Sequence, residues 1–263
     1  MLVVIKGAGD LATGVAVRLK NSGFDIMMLE TACPTTVRRK VAFSPVVYQG
    51  EQIVEGVKGV LVKSCDEAKK IISEGNIPVM VDPKAECLAE MNPDVLVDAI
   101  IAKYNVGTSI NDCKIVIGLG PGLVAGKDCH CVIETKRGHN LGRCLYEGAA
   151  APNTGIPGNI EGFTAERILR APDEGIFEPL NDIGDMVKKG QTVAMVNGKP
   201  VVSKLDGVVR GMLQKGVKVH TGMKSGDVDP RGNKEYCVTI SDKGRAIAGG
   251  VLEAILHLTN ANK

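Results

Sequence analysis

Tryptophan is absent from this chain, and only four phenylalanines and four tyrosines occur among its 263 residues. Its cores must therefore be built from Val, Ile, Leu, Met and Ala. The stacking platforms on which single-stranded nucleic acids are usually held are missing as well. A formal net charge of +2 supplies no general field to draw in DNA, RNA or an anionic membrane. No apolar run approaches the ~20 residues of a membrane span. The N-terminus is a short strand running into a glycine turn, without the charged start and longer apolar stretch of a secretion signal. The expectation is a cytoplasmic protein that binds neither nucleic acid nor membrane.

The eight cysteines include no C-x-x-C pair and read as free thiols in a reducing compartment. Their tightest group, Cys129-His130-Cys131, has no partner pair to complete a metal site. It fits alternation on a packed strand running into Val132 and Ile133, so no metal is expected. Neither H-E-x-x-H nor a Ser-His-Asp arrangement can be identified, which leaves zinc and covalent hydrolysis without a basis. What remains is globular in composition, with 44% hydrophobic and 24% charged residues, and long enough for two compact domains.

The first positive signal is at the start. Residues 2–5 are a continuous apolar run of the kind found in buried parallel strands. Then follow Gly7, Gly9, Asp10 and Ala12 in a G-x-G-x-x-A pattern, with Thr13 and Gly14 behind. Leu11, Val15 and Leu19 have helical spacing, Asn21-Ser22-Gly23 stops the helix, and a second apolar strand ends at Glu30, 21 residues past Gly9. Such a unit has a physical logic. Gly7 permits the tight turn, Gly9 lets the backbone approach a pyrophosphate, Ala12 keeps the helix near the sheet, the helix N-terminus supplies donors, and Glu30 is placed to bond ribose hydroxyls. The alternative is a plain β-α turn with an empty site. Asp10 favours that alternative, because a carboxylate beside a diphosphate is repulsive unless it bonds a sugar or a metal. Arg38 and Arg39 could meet a phosphate at the rim of the same crevice, or be a solvated basic turn. Continued β-α alternation to about residue 104 predicts a Rossmann-like domain over 1–104.

Between 105 and 170 the texture becomes glycine-rich. A strand at 115–117 feeds Gly118, Gly120 and Gly122; Arg137, His139 and Arg143 follow, then the run Asn153-Thr154-Gly155-Ile156-Pro157-Gly158. Converging amides and guanidiniums suit an oxyanion or phosphorylated ligand, against the bland reading of a solvated loop surface. If the loop at 118–122 ends on the same sheet edge as residues 7–10, Arg137 and His139 are expected to close over one shared crevice.

The clearest internal regularity lies in 171–244. Gly175, Gly184 and Gly190 recur as Gly207, Gly216 and Gly222, an offset of 32 residues that also relates Val187 to Val219 and Val196 to Val228. Two such halves resemble the barrel-sandwich hybrid of biotinyl and lipoyl domains, an all-β unit. Lys199 stands near the junction, in Asn197-Gly198-Lys199-Pro200, where carrier domains hold their modified lysine, but without their flanking residues. The bland reading is a solvated turn lysine. Over 245–263 an apolar stripe (Ile247, Val251, Ala254, Ile255, Leu258) predicts a final helix whose face is core or a homo-oligomer interface.

Taken in order, GAGDLATG, RRKVAF, GLGPGLVAG, ETKRGHNLGR, NTGIPG, LRAP and GDVDPRG resemble, over essentially the full chain, the YqeB-type accessory proteins associated with selenium-dependent molybdenum hydroxylases. The opening unit is also similar to the Rossmann domain of xanthine dehydrogenase accessory proteins. The resemblance implies an accessory or maturation factor that binds a nucleotide-bearing or pterin cofactor, either NAD(P) or another dinucleotide, or the molybdenum cofactor. Its partners would be the hydroxylase apoenzyme or cofactor-handling proteins. An NAD-dependent oxidoreductase using Gly7, Gly9 and Glu30, and a carrier using Lys199, are the alternatives. No catalytic residue is assigned.

Overall fold

The computed structural model describes residues 1–261 except Thr154 and Ile156, so two positions of the Asn153–158 glycine run lie outside the described residues. The chain divides into two compact units: residues 1–34, 42–154 and 240–263, and residues 35–41 with 155–239.

In the first unit the apolar runs become strands and the amphipathic stretches helices. In chain order these are β1 (Leu2–Lys6), α1 (Asp10–Asn21), β2 (Asp25–Glu30), α2 (Val46–Gln49), β3 (Glu51–Val54), β4 (Val57–Val62), α3 (Cys65–Ser73), β5 (Ile77–Val81), α4 (Leu88–Met91) and β6 (Val95–Asp98). Then come β7 (Ile115–Leu119), β8 (Val124–Ala125), β9 (Cys131–Ile133), β10 (Cys144–Leu145) and β11 (Gly148–Ala149), and the unit closes with α5 (Asp242–Ala261). Nine strands form one sheet in the order β10-β9-β7-β6-β1-β2-β5-β4-β3, while β11 and β8 pair separately. The pairs from β4 across to β9 are parallel. The edge strands β3 and β10 run antiparallel to their neighbours.

Parallel strands are covered on both faces, which is why they read as unbroken apolar runs. Val3, Val4, Ile5, Val95, Val97 and Ile117 are wholly buried. Helix α3 begins with a reciprocal cap: the Ser64 side chain accepts from the Glu67 amide, and Glu67 accepts from the Lys63 amide. The stripe of α5 is core, since Ile247, Val251, Ala254 and Ile255 are fully buried, with Leu258 partly so. Each of the buried Ile and Val side chains contributes ~1.5–3 kcal/mol on burial. Helix α5 lies against α1 at Gly14, where a Cβ would stand 3.3 Å from the Ile240 side chain and 3.4 Å from the Gly244 carbonyl.

The second unit contains β12 (Ile168–Arg170), β13 (Gly175–Pro179), β14 (Met186–Val187), β15 (Thr192–Val196), β16 (Lys199–Val202), β17 (Gly207–Met212), β18 (Lys218–Val219) and β19 (Lys224–Asp229). Strands β13, β14 and β15 begin 32 residues before β17, β18 and β19, the offset of the sequence repeat. The halves exchange strands. One sheet runs β16-β15-β13-β18 and the other β12-β19-β17-β14, so the first strand of each half pairs with the second strand of the other. Their inner faces share one core around Phe177, Val193, Val208, Met212 and Val228.

The expected combination of a Rossmann-like domain, a glycine-rich segment and an all-β barrel-sandwich hybrid is corrected by this architecture. The chain is mixed α/β with, among the described residues, sheets of nine, two, four and four strands. The glycine-rich segment does not stand apart: its apolar runs 115–119 and 131–133 are wholly buried and extend the large sheet. The last helix belongs to the same unit as the first. Among the described residues no helix is long and apolar enough to cross a membrane.

Candidate functional site

The strand order changes direction between β1 and β6. From β1 the sheet grows outward through β2 and β5, and the chain then returns to lay β6 on β1's other side and β7 beyond it. In open α/β sheets such a switch point, at the carboxyl ends of the strands, is where ligands bind. Lys6 is in register with Asp98 and Asp98 with Gly118. The loop after β1 (7–9) and the loop after β7 (118–122) therefore leave the same edge, with the end of β6 between them.

Gly7 makes the first turn at φ +94°, its amide donating to the Leu29 carbonyl (2.7 Å), and a Cβ there would lie 3.2 Å from the Ala99 carbonyl oxygen. Gly9 is extended (φ −66°) and caps α1 without a side-chain bond, and Asp10 opens the helix. The amides of the first helical turn thus face the edge with their partial positive charge. Glu30 already holds this loop: one carboxylate oxygen accepts from the Ala8 amide (3.0 Å) and the other from the Thr31 amide (2.7 Å). Each oxygen retains a second lone pair for a ligand hydroxyl. Ala12, Thr13 and Gly14 are buried on the inner side of α1. Thr13 Oγ1 donates to the Ala8 carbonyl (3.2 Å) and accepts from the Phe43 amide (2.9 Å), which fixes the turn from behind.

Three residues that sequence reasoning missed lie at the switch point. Lys6 Nζ donates to Thr108 Oγ1 (2.7 Å) and stands 3.9 Å from Asp98 Oδ2, to which the Thr108 hydroxyl donates (2.5 Å). The Lys6 and Asp98 side chains are 7% and 6% exposed. Removing two opposite charges from water is unfavourable unless both are paired and bonded. A signal existed in the sequence: a cation closing an otherwise apolar strand directly before Gly7.

Beside this pair opens a small cleft of about 10 Å³, lined by Asp98, Ile101, Tyr104, Leu119 and Gly122 among others. Its wall is strained at Ile101, a β-branched residue held at φ +57°, where strain of ~1–3 kcal/mol is usual and clusters at functional sites. Around its mouth Ile100, Tyr104 and Val106 are exposed, Tyr104 by 72%.

The glycines of the second loop have close neighbours within the unit itself. A Cβ at Gly118 would meet Leu123 (2.6 Å), at Gly120 Thr135 Oγ1 (2.6 Å), and at Gly122 the Ala102 carbonyl (2.5 Å). Under Gly118 lies Cys129, whose thiol is pushed up by burial to about 11. Arg137 makes a two-pronged ion pair with Asp242 at the start of α5 (2.5 and 2.8 Å), and His139 is exposed. Arg38 and Arg39 belong to the second unit. Arg38 donates to the Tyr236 and Thr239 carbonyls (2.8 and 3.2 Å), and Arg39 to the Met212 carbonyl, Gln214 and Asp182 (2.7, 3.1 and 3.0 Å). Lys199 pairs with Asp173 at 2.8 Å, on a tight turn formed by Asn197 (φ +48°) and Gly198 (φ +72°). Among the described residues no group of three or more His, Cys, Asp or Glu side chains is arranged to hold a metal ion.

These observations define a two-unit mixed α/β protein with one polar, glycine-lined sheet edge at a topological switch point. No family model matches the chain. Among curated proteins it is 51% identical over 257 residues to "Uncharacterized protein YqeB" of Escherichia coli K12, an alignment covering 98% of this chain and 48% of that protein. The chain spans about half the length of this curated relative. Similar solved structures include an aspartoacylase family protein from Mesorhizobium loti (10% identity, TM-score 0.25, 86% of this chain and 83% of that one). Two more are the product-bound ectoine utilization protein EutE (DoeB) of Ruegeria pomeroyi (13%, 0.24, 81% and 61%) and a succinylglutamate desuccinylase from Silicibacter sp. (12%, 0.25, 86% and 84%). At these TM-scores the likeness carries no argument for hydrolysis. The expected kinship with Rossmann-type and molybdenum-cofactor proteins is not found among them, and that expectation is corrected accordingly.

Proposed function

We propose that this chain is an accessory factor that binds a nucleotide-bearing or pterin ligand at the carboxyl edge of its large sheet and serves a molybdenum hydroxylase apoenzyme. The observation carrying the ligand reading is one edge that combines the uncapped start of α1, the free lone pairs of Glu30, the buried Lys6–Asp98 pair and the exposed Tyr104. Anionic groups are favoured at helix N-termini, a sugar hydroxyl suits Glu30, and a flat ring system suits Tyr104 stacking. Service to a hydroxylase rests on the motif resemblance, and the 51% identity to a YqeB-named protein is consistent with it. A cytoplasmic setting accords with eight unpaired cysteines.

Native mass spectrometry of gently purified protein tests the ligand reading, with calorimetric titration of NADH, NADPH and ATP. A retained or saturable ligand lost in Gly9→Val is the expected result. Protein that keeps no ligand and binds none of the probes would overturn it. The partner reading falls if a deletion strain keeps full selenium-dependent hydroxylase activity. Glu30 favours one rival, an NAD-dependent oxidoreductase, which requires NADH turnover and a preference for NADH over NADPH, since a 2′-phosphate would meet a carboxylate.

A further inference from the structure

The second unit holds a charge cluster that the proposed function does not use. Along β19, Val228 turns into the core, so its neighbours Asp227 and Asp229 turn to the opposite face. Three guanidiniums meet them there. Arg167 donates to both Asp227 oxygens (2.8 and 3.0 Å), and Arg231 donates through Nε and Nη2 to the two Asp229 oxygens (2.9 and 2.6 Å). The third, Arg210, is the extra residue of a bulge in β17, between Val209 and Gly211. Bulges re-aim side chains and are frequent beside functional sites.

Arg210 is brought to the two aspartates without being bonded to either. Its Nη1 stands 3.9 Å from Asp227 Oδ2 and its Nε 3.7 Å from Asp229 Oδ2, beyond hydrogen-bonding range. Its one hydrogen bond is long, from Nε to the Tyr236 carbonyl at 3.4 Å, and that carbonyl already accepts from Arg38 at 2.8 Å. Among the described residues neither Nη1 nor Nη2 of Arg210 donates a hydrogen bond, yet neither is sealed from solvent. The side chain as a whole is only 11% exposed. Arg231 likewise keeps its Nη1 unspent, while its guanidinium lies over the Tyr236 ring at 4.4 Å.

Within this cluster the charges do not balance. Two buried carboxylates face three guanidiniums, of which Arg167 is buried and Arg210 nearly so. Arg210 Nε and Arg231 Nη2 approach the same oxygen, Asp229 Oδ2, at 3.7 and 2.6 Å. A buried excess of positive charge is unfavourable unless an anion completes it. Glu161 acts on Arg231 electrostatically, but it is exposed and forms no ion pair with these arginines.

We propose that Arg210 and the free end of Arg231 bind the carboxylate group of a small molecule, whose body lies beside the Tyr236 ring. Guanidinium N–H groups match the two oxygens of a planar carboxylate. One negative charge restores the balance. A phosphate dianion brings a second charge, which faces Asp227 and Asp229 with no guanidinium left to offset it. The small exposed part of Arg210 suits a terminal carboxylate on a narrow ligand.

The test titrates the full chain, carrying isotope-labelled arginine, with acetate, benzoate and inorganic phosphate at constant ionic strength, and follows the arginine Nε–H resonances. Saturable shifts at Arg210 and Arg231 are expected with both carboxylates, and none at exposed Arg18. Phosphate should bind about tenfold more weakly or worse, because like charges then face each other. Benzoate should bind more tightly than acetate, and Tyr236→Ala should remove that difference. Arg210→Met should abolish binding and leave the urea midpoint unchanged or higher, because Arg167 and Arg231 then balance the two carboxylates. The titration of the unsubstituted chain does not depend on any variant folding. The proposal is overturned if neither carboxylate gives saturation, or if phosphate binds as tightly as acetate. It also fails if only Glu161→Gln binds, since Glu161 is then the counter-ion, or if Arg210→Met lowers the midpoint, since Arg210 is then a structural partner of the aspartates.

Discussion

At the scale of single residues, Lys6 and Asp98 illustrate what a buried charge demands. Each is acceptable at 7% and 6% exposure only because the other, with Thr108 between them, completes its bonding. Lys6→Met should therefore leave an uncompensated carboxylate and cost ~3–5 kcal/mol in urea unfolding, while Lys6→Met with Asp98→Leu should recover much of the loss. If the single variant loses less than 1 kcal/mol on this order-of-magnitude scale, the pair is not a structural ion pair. Cys144 provides a second test. Its thiol is held below the ordinary thiol value, first by the neighbouring Cys131 thiol and also by Tyr146, against burial and the charge of Glu253. Alkylation at Cys144 should accordingly reach half its maximal rate at a lower pH than a free thiol of about 8.5, read by timed labelling and peptide mapping. By contrast Cys87, pushed up by burial to about 12, should stay unreactive across that range.

At the scale of elements, backbone approach decides more than side-chain chemistry. Helix α5 comes so close to the preceding loop that a Cβ on Gly250 would meet the Gly142 carbonyl oxygen, and a Cβ on Gly142 would stand 2.6 Å from the Ala246 carbonyl. Gly250→Val should force the helix outward and destabilise the first unit by about 1–3 kcal/mol or more, measured as a lowered urea midpoint. Gly122, at φ +106° with the Ala102 carbonyl in the path of any Cβ, is a comparable point in the cleft wall. Gly122→Ala is expected to weaken ligand binding through a distorted 99–106 loop, with a smaller effect on the urea midpoint than Gly250→Val. Gly122 and Gly142 were visible in the sequence within a glycine-rich tract that suggested an anion cradle. Their close neighbours explain them differently: two segments of the same unit pass at backbone distance, and sequence spacing carries no information about which segment lies opposite.

At the scale of the whole chain, each unit holds buried carboxylates against cations of its own. The second unit carries its carboxylates against guanidiniums and amides. Burial alone would raise Asp229, but bonds from the Arg231 side chain and amide, with the charge of Arg210, hold it below the ordinary aspartate value. A carboxyl group depressed in the folded state adds stability that is complete above its unfolded pKa of about 3.9 and is lost as pH falls through the lower folded value. Thermal unfolding of the chain should thus show a transition that weakens below about pH 4, and Asp229→Asn should flatten that dependence while costing ~3–5 kcal/mol at neutral pH, because Arg231 and Arg210 lose the carboxylate they share. A profile that stays unchanged in Asp229→Asn would remove Asp229 as the cause.

The sequence by itself determined what is local or periodic. Apolar runs became parallel strands because both sheet faces are covered, the stripe at 247–255 became a buried helix face, and the 32-residue offset reappeared as two matching sets of strands. The glycine turn after the first strand was legible for the same reason, since strand and turn are adjacent in the chain, whereas the bond from the Ala8 amide to Glu30 was not foreseen. Only the tertiary structure decided the rest. It joined the glycine-rich segment to the first sheet, exchanged strands between the halves of the repeat, gave Arg38 and Arg39 to the second unit, and set Lys6 beside Asp98 and Thr108, about a hundred residues away. Each of these depends on which distant segment closes against which. That choice is made by the summed burial and bonding of whole elements, and no short stretch of chain encodes it.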